Sequence, residues 1–443
     1  MRRVTAPRNL VAIAAAGLFA ACSYGRTLPP GLPANEAAEP DEMLSKLAGS
    51  KISHVVILVQ ENRTFDNLFH GYPGADYANT GLTHDGKSVR LRPGPLEEYY
   101  DPGHTHGNFE TEYDGGKNDG FDEVASSPPS YKLAPYQYVN HGEVRPYFDI
   151  AHEFTLADHM FASQNGPSFP GHEYIIAGQS GGAYGDPTWY EPWGCDALPG
   201  TTVQVYRHGR YFKTFPCFNY QTLGDELDAA KLSWRYYTTP LTKLGVELLP
   251  DPYDAIRHIR FSRDWSHDNI AQPTRIIRDI KAGRLAAVSW VNSPALASDH
   301  PQLNDGHGPS WIAYVVNAIG NSQYYENTAI FVTWDDWGGW YDHVVPQEYG
   351  VLGHGFRVPL LVASAWSKHG YVSKQPHEFG SMLRFVEKLY GLPSLGTRDE
   401  QSDDLSDCFD FTQKPPKFKP IKLTTKPFDL RKLDADTRPN DNY

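Results

Sequence analysis

Two adjacent carboxylates at the end of an apolar run are the sharpest chemical signal in this sequence. Asp335 and Asp336 stand in Thr333-Trp334-Asp335-Asp336-Trp337-Gly338-Gly339-Trp340-Tyr341-Asp342-His343, directly after the apolar residues 329–334. Side by side, two carboxylates repel each other and resist burial unless a cation lies between them. A solvated loop with two surface acids is the plainer alternative, but the flanking Trp and Gly residues point to a packed, specially shaped turn. A second oxygen-rich pair, Glu61-Asn62, follows the apolar residues 55–59, and Arg63-Thr64-Phe65-Asp66 opens a helix after it. Carboxylate and amide oxygens are hard ligands that suit Ca²⁺, Mg²⁺ or Mn²⁺ and also serve iron or zinc. Alone, the pair reads equally well as a helix cap. In Asn165-Gly166-Pro167-Ser168-Phe169-Pro170-Gly171-His172, a serine between prolines precedes the helical residues 173–177. A hydroxyl held there lies near backbone N–H groups that favour an anion; a plain capping serine is the competing reading. The segment is not a GxSxG elbow, which disfavours an α/β-hydrolase triad. Among eighteen histidines, loop settings single out His104 in Asp101-Pro102-Gly103-His104 and His300 in Ser298-Asp299-His300-Pro301. His343 reads as support for the acidic turn, and His258 is a weaker candidate.

These groups need strands and helices to hold them. Residues 55–59, 329–334 and 358–363 read as short buried parallel strands, and residues 286–291 as a weaker fourth. Ile312, Val315, Val316 and Ile319 follow helical spacing. So do Phe379, Met382, Leu383, Val386 and Leu389, closed by Gly391 and Pro393. Alternating strands and helices predict an α/β fold, a central mostly parallel sheet with helices on both faces. In such sheets ligands sit beyond the carboxyl ends of the strands, which is where Glu61-Asn62 and Asp335-Asp336 fall.

With 443 residues, 40% of them hydrophobic and 21% charged, the chain can form one large domain. A net charge of −13 repels nucleic acid and anionic surfaces, so a basic-patch binding role and a nucleic-acid partner are not expected. The same charge repels phosphate esters at long range, so acting on them requires a local cation. Arg2, Arg3 and Arg8 precede the apolar residues 10–21 and then Cys22, the pattern of a secretory signal too short to span a membrane. Leu18-Phe19-Ala20-Ala21-Cys22 resembles a bacterial lipoprotein signal, with Cys22 lipidated and the chain attached to a membrane; plain secretion is the alternative. The expected organisation is a signal peptide over 1–21, a tether over 22–50, a catalytic domain over 51–412 and an irregular tail over 413–443. The expected location is the periplasm, the cell surface or the medium. A Cys195–Cys217 bridge suits an oxidising compartment; buried free thiols are the other reading, and no Cys/His zinc pattern occurs.

Together, His54-Val55-Val56-Ile57-Leu58-Val59-Gln60-Glu61-Asn62-Arg63-Thr64-Phe65-Asp66, residues 165–170, Asp299-His300-Pro301, residues 333–343 and Gly355-Phe356-Arg357-Val358-Pro359 resemble the bacterial phosphoesterase family of phospholipases C and acid phosphatases. The resemblance implies an alkaline phosphatase/sulfatase-like fold and hydrolysis of phosphoric esters through a phosphoserine. It also implies a divalent metal ion held by Glu61, Asn62, Asp335 and Asp336, with Ser168 as nucleophile and His104 and His300 contacting the phosphoryl group. A further family histidine has no secure match, and His258 is a guess. The substrate would be a small phosphate ester or a phospholipid head group. The short C-terminus and the serine nucleophile tilt the expectation towards the acid-phosphatase branch. A sulfatase and a non-catalytic surface-binding protein are the rivals. The first lacks its Cys/Ser-x-Pro-x-Arg motif, and the second conflicts with a full set of competent site residues.

Overall fold

The strand β1 (His54–Gln60) is apolar at every position from Val55 to Val59, and its six residues after His54 are buried. A strand with no polar face needs cover on both sides and a neighbour on each edge. The computed structural model, which describes residues 48–49, 51–188, 192–238, 251–265, 270–347 and 349–424, supplies both. Seven more strands join β1: β2 (Thr155–Ala157), β3 (Trp234–Tyr237), β4 (Ile270–Ala271), β5 (Val288–Asn292), β6 (Thr328–Trp334), β7 (Leu360–Ser364) and β8 (Tyr371–Ser373). Their order across the sheet is β4-β3-β5-β1-β6-β7-β2-β8. β1 runs parallel to β5 on one side and β6 on the other. Residues 358–363, expected as a parallel strand, form β7, which is antiparallel to both β6 and β2. Parallel neighbours need a long crossover, usually helical. The segment between β6 and β7 carries no helix among its described residues, so the chain turns back. An apolar run by itself encodes burial, not direction.

The principal helices are α1 (Phe65–Phe69), α2 (Arg145–Glu153), α3 (Ser168–Ala177), α4 (Gly308–Gly320) and α5 (Phe379–Tyr390). Alternate residues of β6 point to opposite faces of the sheet and show that both are covered. Phe331 meets Phe385 of α5 edge-on, with ring centroids 5.2 Å apart. Trp334, on the other face, meets Tyr147 of α2 at 5.1 Å. α2 packs with α4 and α3 with α5, one pair on each face. α5 buries Phe379, Met382, Leu383, Val386 and Leu389 and ends at Gly391, whose φ of 66° is the left-handed cap that favours glycine.

All described residues belong to the unit Pro40–Tyr443. Cys22 and the expected export signal lie outside the described residues. Residues 413–424 form no helix or strand, yet they are pinned to α4. Asn317 donates to the Ile421 carbonyl at 2.9 Å and accepts from its N–H at 2.7 Å. Cys195 and Cys217 are joined by a disulfide, and Cys408 is a buried free thiol.

Two buried acids, Glu387 on α5 and Glu226, give the fold a pH dependence. Burial, reinforced by Asp399, raises the Glu387 carboxyl to about 8 and that of Glu226 to about 7. The fold therefore keeps protons that the unfolded chain loses near 4.5. Their stabilising effect is complete at low pH and is lost as pH rises from about 4.5 to 8. The urea midpoint should fall across that window, and Glu387→Gln should flatten the slope; an unchanged slope would show that Glu387 ionises normally in the fold.

Candidate active site

β1 and β6 are parallel and in register, with Gln60 opposite Trp334. The residue after each strand end therefore stands beside its counterpart, and Glu61-Asn62 meets Asp335-Asp336. The Asp335 N–H donates to the Gln60 carbonyl at 3.1 Å, and the Asn62 N–H donates to Asp335 Oδ1 at 2.9 Å. All four side chains are fully buried. Asn62 turns out of the strand with φ at 58°, a left-handed conformation that asparagine tolerates better than most residues. Gly338 packs against that turn so closely that a Cβ would lie 2.1 Å from the Asn62 carbonyl oxygen, and its N–H donates to Asp336 Oδ1 at 2.7 Å. The cap of α1 is Thr64, whose hydroxyl accepts the Asn67 N–H. Glu61 and Asn62 are thus not spent on capping.

The α3 helix brings in the serine. Its N-cap is Pro167, and Ser168 is its first residue, so the helix begins earlier than residues 173–177 suggest. The Ser168 hydroxyl is not a cap: Oγ lies 3.2 Å from Asp336 Oδ2 and 3.4 Å from Asn62 Oδ1. One turn on, His172 shares that face of the helix. Its Nε2 lies 3.0 Å from Glu61 Oε1 and 3.7 Å from Asp335 Oδ2. Gly171 makes the approach possible, since a Cβ there would lie 2.6 Å from the Asp335 carbonyl oxygen. Burial lowers the basicity of His172, with Asp335 opposing it, which keeps the ring neutral. Burial, reinforced by Asp335, pushes the Asp336 carboxyl well above the ordinary carboxylate range. Asp335 Oδ2 and His172 Nδ1 are buried with no hydrogen bond to any described residue. Asp186 accepts the Phe169 N–H at 3.0 Å and fixes the helix start, and burial raises its carboxyl to about 6.

His104 and His300 face each other with ring centroids 6.5 Å apart. His104 Nε2 lies 3.1 Å from Asn62 Nδ2, and its Nδ1 is 2.8 Å from the Pro102 carbonyl. His300 is held by its neighbour: Asp299 Oδ2 accepts the Tyr147 hydroxyl at 2.8 Å and Trp334 Nε1 at 2.9 Å. His258 stands elsewhere, with its ring nitrogens on Asn219 and Asp225. His343 bonds Asp66 at 2.7 Å, and buried Arg357 ties Asp342 to the same cluster. This network clamps the acidic turn to α1.

His172 and Asp186 were not among the sequence candidates. The four-residue step from Ser168 to His172 carries a usable signal once both lie on one helix; Asp186 sits in a loop and carries none. A serine–histidine–aspartate series elsewhere, Ser373, His377 and Asp403, has hydrogen-bonded geometry at 3.0 and 2.9 Å. Ser373 is fully buried, so no substrate reaches it and the series acts as an internal clasp.

Residues 52–393 match the Phosphoesterase family. Phospholipase C B of Mycobacterium tuberculosis is 25% identical over 438 residues, covering 83% of this chain and 80% of its own. Hemolytic phospholipase C of Pseudomonas aeruginosa is 26% identical, covering 90% of this chain and 61% of its own. Non-specific phospholipase C3 of Arabidopsis thaliana is 24% identical, covering 89% and 80%. Among solved structures, a protein in the alkaline phosphatase superfamily from Vibrio parahaemolyticus aligns over 83% of this chain and 78% of its own at 11% identity. Its TM-score of 0.32 is too low to support a comparison of sites. A family match over residues 52–393, which takes in the sheet and both strand-end motifs, leaves one conclusion: the chain belongs to the Phosphoesterase family and is a hydrolase of phosphoric ester bonds.

Proposed function

We propose that this hydrolase is exported, depends on a divalent metal ion and works through a phosphoserine at Ser168. The observation that carries the proposal is the convergence of Ser168 Oγ, which is nearly but not fully buried, on the buried Asp336 Oδ2 and Asn62 Oδ1, 3.2 and 3.4 Å away. Three converging oxygens, beside the unbonded Asp335 Oδ2, suit a cation far better than they suit one another. Glu61, Asn62, Asp335 and Asp336 would hold that ion, and Ca²⁺, Mg²⁺, Mn²⁺, iron and zinc all accept such donors. Bound there, it would lower the pKa of the Ser168 hydroxyl and offset charge on the phosphoryl oxygens.

The remaining chemistry belongs to the side chains. Ser168 attacks phosphorus in line with the leaving oxygen, from the first position of α3, where the helix dipole favours an anionic ester. His104 and His300 donate hydrogen bonds to the phosphoryl oxygens, and one of them passes a proton to the leaving alcohol. Water then attacks the phosphoserine and frees Ser168.

His172 works through Glu61. Its imidazole N–H on Glu61 Oε1 fixes one carboxylate oxygen, as groups behind metal ligands commonly do. His172→Ala should weaken cation binding by about 10–100-fold, read by calorimetric titration of folded protein. Wild-type affinity in the variant would remove this positioning role.

The named relatives are phospholipases C, so phosphodiesters such as phospholipid head groups are the first substrates to test, and phosphomonoesters the second. Arg2, Arg3, Arg8 and Cys22 support export with lipid attachment, and a disulfide suits an oxidising compartment. The test is turnover of p-nitrophenylphosphorylcholine, bis-p-nitrophenyl phosphate and p-nitrophenyl phosphate, with chelator and with each ion restored. Metal-dependent hydrolysis of one of them is expected. Turnover indifferent to chelation, or none by folded and metal-loaded protein, would overturn the reading.

A further inference from the structure

We infer that the hairpin Val203–Arg207 and Arg210–Thr214 docks this enzyme onto an anionic phospholipid surface. Its tip, Arg207-His208-Gly209-Arg210-Tyr211-Phe212-Lys213, is exposed at every residue. Tyr211 is 63% and Phe212 42% accessible, and Phe215, just past the second strand, is exposed as well. No acid occurs between Ala197 and Cys217, in a chain whose net charge is −13. Large rings bounded by Arg and Lys are the composition that lies at a membrane boundary, with the apolar bodies among acyl chains and the cations at phosphates. Nucleic acid offers the same charge, but a bilayer is favoured because the exposed rings stand among the cations at one end of the hairpin.

The tip is held stiffly. His208 and Gly209 both have positive φ, 51° and 73°, the backbone of a two-residue turn that matches strand twist. The Cys195–Cys217 bridge closes the base. Val203 and Val205 pack inward with Phe169, the neighbour of Ser168. Tyr211 meets Tyr184 at 5.9 Å, Tyr184 meets His106 at 5.3 Å, and His106 bonds Asn165 at 2.8 Å. A surface touching Tyr211 is thereby placed beside the loop that presents the nucleophile. The inference extends the phosphoester reading to a substrate presented on a bilayer.

The test uses unlipidated residues 23–443 with vesicles of phosphatidylcholine, alone or mixed with phosphatidylglycerol. Wild type should sediment with the mixed vesicles and release as salt is raised. Arg210→Glu with Lys213→Glu, and separately Tyr211→Ala with Phe212→Ala, should cut partitioning by about 10-fold or more. Both pairs should keep their melting temperature and wild-type turnover of soluble p-nitrophenylphosphorylcholine. Wild type that ignores the vesicles, or variants that bind as well as wild type, would overturn the inference. So would loss of self-association in the ring variants, which would assign the surface to a second copy. If wild type binds vesicles but cleaves no phosphoester, the catalytic reading fails and the docking surface stands.

Discussion

Ser168→Ala should lower turnover by about 10⁴-fold or more while leaving the fold and the cation affinity near wild type. The change deletes one oxygen from a nearly buried position, and the start of α3 is set by Pro167 rather than by the serine side chain. Alanine is also the best helix former, so the lost hydroxyl should not loosen the helix. What disappears is the atom poised 3.2 Å from Asp336. Acid-quenched wild type given labelled substrate should carry an acid-stable label at Ser168, and the variant should carry none. Near wild-type turnover in the variant would end the nucleophile assignment, whatever the substrate.

Removing the cation should silence the enzyme and lower its melting temperature, by more at pH 8 than at pH 5. The sign follows from Asp336. Burial and Asp335 raise its carboxyl, so without a cation the fold favours the protonated form, and that stability drains away as pH rises through the raised value. A bound cation needs the ionised form and competes with the proton, so its stabilising effect grows with pH. At 100 times its dissociation constant it contributes about 2.7 kcal/mol. Glu226 and Glu387 titrate with or without the ion, so the gap between chelated and loaded protein is the proper readout. Calorimetry at the two pH values measures it. A gap that shrinks with rising pH would mean that the ion binds somewhere other than the aspartates.

The sequence was most legible where burial is complete. Runs such as residues 55–59 and 329–332 have no polar position, which restricts them to central strands, and the carboxylates that follow those strands mark the site. The helices from Gly308 and Phe379 were equally plain, because 3.6-residue spacing persists over three turns. Legibility failed for β2 and β8, three residues each, which are too short for any period. It failed also for the direction of β7, which depends on the connection before it. In the site, Glu61, Asn62, Asp335 and Asp336 could be grouped because each pair follows a strand. Asp186 reaches Phe169 only through the folded loop, and sequence spacing holds no record of that contact.

The pairing of β1 also sets an order of assembly. Val55 bonds into the strand that holds Val288, and His54 into the strand that holds Thr328. This central strand is thus the first of the sheet to be synthesised and has to wait for both neighbours. Closing such distant contacts costs loop entropy before any is recovered, so folding is slow and late. An emerging chain carries an unpaired Val-Val-Ile-Leu-Val segment until residues beyond 334 are available, which is the interval in which aggregation competes. Glu61 and Asp335 meet only at the end of that interval, so cation capture waits on the pairing of β1 with β6.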